Sequence, residues 1–74
     1  MIYIPLHNSN AFRFMTVSSD REFFLSECVS WLVLNTGDRN KAWGINRDAV
    51  NGRALSIWVE EPQAATVFKL RFGL

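Results

Sequence analysis

Residues 20–35, DREFFLSECVSWLVLN, decide how we expect this chain to fold. Ser19 and Glu22 have the spacing of a capping box, in which the hydroxyl of Ser19 accepts from the Glu22 backbone amide and the Glu22 carboxylate accepts from the Ser19 amide. Gly37 supplies a residue suited to the left-handed conformation just beyond the last turn. These signals predict one helix of about four turns over residues 20–35.

This helix has a broad apolar side for the core. At about 100° per residue, six residues share that side, namely Phe24, Leu25, Cys28, Val29, Trp31 and Leu32. Phe23 and Leu34 fall on the other side, near Ser26 and Ser30, whose small side chains let another surface approach. Two interpretations stay open: the ordinary apolar exposure of a small domain, or a contact face for a partner or a second copy.

The composition is that of a small globular domain. A chain of 74 residues with 49% hydrophobic and 14% aromatic residues predicts a single domain over residues 1–74. The only cysteine, Cys28, cannot form an internal disulfide, and with the only histidine, His7, it falls short of the four ligands of a structural zinc site. We therefore expect Cys28 to be a core thiol, and we expect neither a metal nor a cofactor.

The net charge and the hydropathy of the chain indicate the compartment in which we expect the protein. A net charge of +1 provides no bulk attraction to nucleic acid or to an acidic membrane. The first ten residues have no basic leader, and their apolar run is too short for a signal peptide or a membrane span. Together with the unpaired cysteine, this predicts a cytoplasmic protein without a membrane contact.

The segment before the helix suggests two strands. Residues 2–6, IYIPL, alternate apolar and other side chains, and Pro5 cannot donate to a sheet ladder, so this strand should lie at an edge. Residues 11–17, AFRFMTV, are rich in aromatic and β-branched types and predict a second strand, with Phe12 and Phe14 on one face. The short polar turn between them predicts a hairpin.

A second hairpin follows the helix, around the Asn51-Gly52 turn signal that joins residues 41–49 to residues 53–61. A two-residue loop would leave the apolar residues of one strand facing polar residues of the other. A three-residue loop, with Gly52 left-handed, collects the apolar residues on one face by pairing Ile45 with Ile57, Trp43 with Val59 and Arg47 with Leu55. We predict the three-residue loop, which turns Trp58 to the opposite face.

Residues 62–72 fit two patterns. The alternation of Phe68, Leu70 and Phe72 is typical of a strand, whereas Pro62 suits a first helical turn and Gly73 a helix exit. We choose the helix. The fold class predicted for the whole chain is α+β, with the order ββαββα, a four-stranded antiparallel sheet and two helices on one face.

The end of the chain also carries a resemblance. The pattern E-P-x-A-x-x-x-F-K-L-R-F-G, here Glu61 to Gly73, resembles the C-termini of small uncharacterised proteins encoded by bacteriophages. The resemblance implies a phage-encoded accessory protein in the cytoplasm of the host cell. Many such proteins bind and disable a host component, including anti-CRISPR and other counter-defence proteins. It brings no catalytic residues with it.

The residues themselves offer no catalytic apparatus. The four glycines are scattered, and none forms a phosphate-binding loop. His7 lies in a polar turn with no carboxylate placed to orient it, and no serine sits on a nucleophile elbow. We therefore expect a protein that is not an enzyme.

Two binding functions remain as hypotheses. The first is binding and inhibition of a host protein or complex by surface occlusion, through aromatic, apolar and arginine side chains of the kind found at interface hot spots, namely Phe23, Leu34, Arg47 and Trp58. The alternative is nucleic-acid binding by basic residues beside an aromatic one in the second hairpin, namely Arg39, Lys41, Arg47, Arg53 and Trp58. This alternative ranks second because four acidic residues share the region. A homodimer formed through the helix is a further possibility.

Overall fold

The computed structural model describes residues 1–74 as three strands and three α-helices. In chain order the elements are β1 (Ile2–Pro5), a 3₁₀ turn (Leu6–Asn8), α1 (Asn10–Phe14), α2 (Ser18–Asn35), β2 (Trp43–Arg47), β3 (Ala54–Val59) and α3 (Pro62–Phe72). The α+β class is therefore confirmed.

The sheet is antiparallel, with β3 between the two edge strands in the order β1-β3-β2. The hairpin pairs Ile45 with Ile57 and Trp43 with Val59, as predicted, and Gly52 has a φ of 72° in the loop. The predicted three-residue loop and the predicted pairing of Arg47 with Leu55 are wrong, since β2 ends at Arg47 and β3 begins at Ala54. Arg47 pairs with Ala54 instead, because the register shifts between Asn46 and Arg47.

The predicted order ββαββα, with a first hairpin, a four-stranded sheet and two helices, is wrong, because the predicted second strand over residues 11–17 is replaced by α1 and an extended link. Ser9 caps α1 by accepting a hydrogen bond from the Phe12 amide at 3.2 Å. In this short helix Phe12 is buried while Phe14 is 80% exposed, so the two rings do not share a face. With no neighbouring strand after it, β1 pairs with β3, and Pro5 lies on an edge strand as predicted.

Helix α2 begins earlier than predicted and without the capping box. Val17 is the N-cap residue, so no side chain caps the helix, and Ser19 lies inside the first turn. The Glu22 carboxylate points instead towards Arg47, at 4.0 Å. The end agrees with the prediction, since Asn35 is the last residue and the amides of Thr36 and Gly37 both donate to the Leu32 carbonyl.

Helix α3 confirms the choice of a helix over residues 62–72. The Glu61 carboxylate accepts from the amides of Gln63 and Ala64, Pro62 occupies the first turn, and Gly73 closes the helix with a φ of 69°. Both capping residues, Glu61 and Gly73, lie directly next to the ends of the helix in the sequence.

The core lies between one face of the sheet and helices α2 and α3. Its 12 buried residues come from every element, namely Ile4, Leu6, Phe12, Leu25, Cys28, Leu32, Trp43, Ala54, Ile57, Val59, Ala65 and Phe68. A network of aromatic rings joins the three helices, since Phe12 contacts Phe24, Phe24 contacts Phe72, and Phe72 contacts Phe68. The opposite face of the sheet is left without a covering helix, with Tyr3 and Pro5 exposed.

Candidate functional site

The side of α2 that faces away from the core forms an uncharged stripe, which we call the outer stripe. It spans about 100° of the helix circumference and consists of six exposed residues, Ser19, Phe23, Ser26, Ser30, Val33 and Leu34. Phe23 is 68% exposed, Val33 53% and Leu34 84%. Solvent-facing sides of helices normally carry charged residues, so this surface is unusual for a helix in contact with water alone.

Acidic residues flank the outer stripe. Asp20 and Glu27 border one side and Glu22 the other, and all three are exposed. The only basic residue of α2, Arg21, turns away from this surface, because its Nε donates to the Met15 carbonyl at 2.7 Å and its guanidinium lies over the Phe12 ring. The result is an apolar surface with an acidic rim.

Arg47 lies near the N-terminal end of this surface. Its Nη1 donates to the Gly52 carbonyl at 3.0 Å and is 4.0 Å from the Glu22 carboxylate. Both side chains of the pair are substantially exposed, so the pair contributes at most about 1 kcal/mol. A partner's charge could therefore replace this contact at little cost.

Trp58 lies elsewhere, on the uncovered face of the sheet. We call this the outer sheet face; two rows of paired residues form it, Tyr3–Trp58–Gly44 and Pro5–Ser56–Asn46. Phe23 and Leu34 lie on the outside of a helix that covers the opposite face. The four residues predicted to bind a partner are thus divided between two surfaces, with Trp58 separate from Phe23 and Leu34.

Gly44 holds Trp58 in place, a role that the sequence analysis missed. A Cβ atom at residue 44 would lie 2.6 Å or less from indole atoms Nε1, Cε2 and Cζ2, so this edge of the Trp58 ring packs directly against the glycine. The signal was available, because the register predicted for the hairpin already pairs Gly44 with Trp58, as observed. A large ring over a glycine in a neighbouring strand is a recognised way of covering bare backbone.

Gly44→Ala is therefore expected to lower the free energy of unfolding by about 1–3 kcal/mol through overpacking. Elsewhere in a strand the same substitution usually stabilises by about 0.5–1 kcal/mol. The Trp58→Ala substitution removes the indole that the new Cβ atom would meet. In that background Gly44→Ala should therefore be neutral or stabilising. Urea unfolding of the four variants of this double-mutant cycle measures the coupling. Equal effects of Gly44→Ala in both backgrounds would contradict the packing described.

The basic residues predicted for nucleic-acid binding do not gather around Trp58. Arg39 covers the ring of the buried Trp43, and Lys41 lines a shallow groove that also contains Glu60 and Glu61. Arg47 and Arg53 lie at the other end of the hairpin, Arg47 near Glu22 and Arg53 in a cleft beside Asp48. The structure therefore separates the predicted stacking residue from the predicted phosphate contacts.

That cleft, of about 300 Å³, is the most enclosed depression on the molecule, and its charged and polar lining includes His7, Arg21, Glu22, Asp48 and Arg53. Its acidic groups have other partners: Glu22 lies near Arg47, and Asp48 Oδ1 accepts from the amides of Val50 and Asn51.

No three histidine, cysteine, aspartate or glutamate side chains come together in a way that could hold a metal ion. None of the helices is long and apolar enough to cross a membrane.

Cys28 is buried in the core, as predicted. Burial, with a smaller contribution from the Glu27 carboxylate, raises the pKa of the Cys28 thiol from 9.0 to about 12. This residue is therefore a packed apolar group and not an activated nucleophile.

The raised pKa of the Cys28 thiol predicts that the protein loses stability at alkaline pH. Between about pH 9 and pH 12 the unfolded chain releases the thiol proton and the native chain keeps it, so the free energy of unfolding should fall by up to about 1.4 kcal/mol per pH unit from this group. Urea titrations at several alkaline pH values, compared with Cys28→Ala, isolate the thiol from the tyrosine and lysines. An equal slope in both proteins would show that the thiol ionises alike in the two states.

Comparisons with protein-family models, with curated proteins and with solved structures found no match for this chain.

Proposed function

We propose that this chain is a small, non-catalytic protein-binding domain, of the phage accessory type, that inhibits a host protein or complex by occluding one of its surfaces. The observation that carries the proposal is the outer stripe of α2, where Phe23 and Leu34 are largely exposed on a helix side that holds no charged residue. Exposed apolar patches with polar rims are characteristic of protein-interaction sites.

The geometry of the stripe suits an elongated contact. Phe23 and Leu34 are about three helical turns apart on nearly the same side of α2. Ser26 and Ser30 lie between them and project little, so the surface has two apolar ends and a low centre. A partner helix or ridge would fit across the serines and contact both ends.

The rim indicates the chemistry of the partner. Because Asp20, Glu22 and Glu27 are exposed beside the stripe and no basic residue of α2 faces outwards, the complementary surface is apolar with basic residues around it. A second copy fits poorly. A two-fold axis across α2 would bring the flank with Asp20 and Glu27 of both copies to the same side, where like charges repel.

The prediction is that the double variant Phe23→Ser, Leu34→Ser loses the partner while keeping the fold. Both side chains are largely outside the core, so the change in stability should stay within about 0.5 kcal/mol, whereas loss of the apolar contacts at both ends of the stripe should weaken binding by at least about tenfold. Val50→Ser is the matched control, since Val50 is 95% exposed in the β2–β3 loop, away from the stripe.

The experiment is an affinity pull-down from bacterial lysate with the tagged wild type and both variants, with and without nuclease, read by mass spectrometry. The expected result is a host protein recovered in stoichiometric amount by the wild type and by Val50→Ser, resistant to nuclease, and lost with the double variant. Equal recovery of that host protein by the double variant would show that the outer stripe is not the binding surface. Loss of all bound material on nuclease treatment would favour the nucleic-acid alternative, whose affinity should also fall steeply as salt rises.

A further inference from the structure

We infer that two copies of this chain form a symmetric dimer in which the outer stripe of each copy packs against the exposed side of α3 of the other. The dimer needs no host protein, so it goes beyond the proposed function. It also regulates the same surface, because the outer stripe of a dimer is covered and a host protein has to displace the second copy.

The solvent-facing side of α3 is an uncharged surface, which we call the α3 ridge. Four exposed residues form it, spaced at helical intervals, namely Gln63, Thr66, Val67 and Leu70. Leu70 is 81% exposed and Val67 52%. The Thr66 hydroxyl donates to the Pro62 carbonyl of its own helix at 3.1 Å, so it keeps a hydrogen bond when another surface covers it.

The charges around the α3 ridge are opposite to those around the outer stripe. Helix α3 contains no acidic residue, and its two basic residues, Lys69 and Arg71, are exposed on opposite flanks of the ridge at about 100° per residue. No carboxylate of the chain pairs with either of them. The outer stripe has Asp20 and Glu27 on one flank and Glu22 on the other. An apolar surface with a basic rim is therefore present on the chain itself, as the complement of the apolar surface with an acidic rim.

The position of α3 lets both copies make this contact at the same time. The Phe72 ring contacts that of Phe24, and the Phe68 ring contacts that of Trp31. Helices α2 and α3 thus lie side by side on one face of the sheet, with the outer stripe and the α3 ridge both turned away from the core. A two-fold axis that runs between the helices along their length places α2 of each copy over α3 of the other. An axis across α2 brings acidic flanks together, whereas this axis brings each acidic flank to a basic one.

The shapes of the two surfaces also match. Ser26 and Ser30 project little and leave a low centre in the outer stripe, between its two apolar ends. Val67 and Leu70 are the apolar part of the α3 ridge, and they fit over the serines as the side chains of one helix fit into the groove of another. Each dimer contains this contact twice, so four exposed apolar side chains of α3 leave water when it forms.

The test is the mass of the full chain in solution, measured by sedimentation equilibrium from micromolar to millimolar concentration. Two double variants are compared with the wild type: the stripe variant Phe23→Ser, Leu34→Ser and the ridge variant Val67→Ser, Leu70→Ser. The wild type and the control Val50→Ser are expected to double in mass as concentration rises. Each double variant alone should dimerise at least about tenfold more weakly. An equimolar mixture of the two should dimerise more strongly than either alone, because the stripe of one meets the ridge of the other.

Three results would overturn the inference: a wild type that stays monomeric throughout, variants that dimerise as strongly as the wild type, or a mixture no more associated than its components. Circular dichroism confirms that the variants are folded, which is expected because all four side chains are exposed. The ridge variant keeps the outer stripe, so it should recover at least as much host protein as the wild type in the pull-down. Absence of a host protein leaves the mass measurement unchanged, so failure of the dimer and failure of the proposed function are distinguishable.

Discussion

Trp43→Ala is expected to lower the free energy of unfolding by about 3–5 kcal/mol, the usual loss for a fully buried large aromatic residue. Trp43 has no exposed surface and is the largest side chain in the core. It pairs with Val59 on the central strand, its indole N–H donates to the Gly37 carbonyl at 2.9 Å, and Arg39 covers its ring. One side chain thus connects the sheet to the segment that follows α2.

The expected loss is a large part of the total, because a domain of this size is stable by only about 4–11 kcal/mol. Urea unfolding followed by circular dichroism measures it, with Trp43→Phe as the matched control. Phenylalanine retains most of the packing and loses the hydrogen bond to the exposed Gly37, whose carbonyl can turn to water, so it should cost about 1–2 kcal/mol. Equal losses for the two variants would show that the hydrogen bond, and not packing, makes Trp43 important.

Phe68→Ala is expected to cost about 3–5 kcal/mol and to release α3 from α2. The Phe68 ring is fully buried, with its centroid 5.7 Å from that of Trp31 and 5.0 Å from that of Phe72. The contact with Trp31 is one of three aromatic contacts between α3 and α2, and Phe68 also packs against Phe72 of its own helix, which makes the other two with Phe24 and Trp31. Loss of near-ultraviolet circular dichroism that is smaller in a Trp31→Phe background, at denaturant concentrations where the wild type is folded, would report the release.

Leu70→Ala on the same helix is the control for Phe68→Ala. Leu70 is 81% exposed, so its truncation should change stability by less than about 0.5 kcal/mol. A similar loss for Leu70→Ala and Phe68→Ala would contradict the orientation of α3.

The helices α2 and α3 could be predicted because their signals are local. The apolar spacing of α2 puts Leu25, Cys28 and Leu32 inward, as observed, and each cap of α3 lies within a few residues of the backbone groups that it satisfies. Their exposed residues followed from the same geometry, so the exposure of Phe23 and Leu34 was also predictable.

The segment before α2 was not predictable in the same way. Residues 11–17 have strand-like composition, but β propensity depends on having a neighbouring strand. In the structure β1 pairs only with β3, far away in sequence, and its other edge stays unpaired. The Ser9 cap then favoured a single turn of helix, which buries Phe12 and exposes Phe14.

The division of the candidate binding residues also depended on tertiary structure. The hairpin register places Trp58 and Ile57 on opposite faces of the sheet. The hairpin alone does not show which of the two faces the helices cover. The bulge at Asn46 and Arg47 then turned Arg47 towards Glu22 on α2. A one-residue register shift of this kind exchanges the faces of a strand, and no local sequence signal marked it.

Site-specific photocrosslinking determines whether the outer stripe of α2 is the partner-binding surface. Phe23 is replaced by p-benzoyl-phenylalanine, which conserves the ring, and the chain is irradiated in bacterial cells; the control carries the same group in place of Tyr3 on the opposite side of the molecule. We predict a discrete adduct with one host protein from position 23 and none with that protein from position 3. Adducts from position 3 alone, or no protein adduct from position 23, would contradict the account.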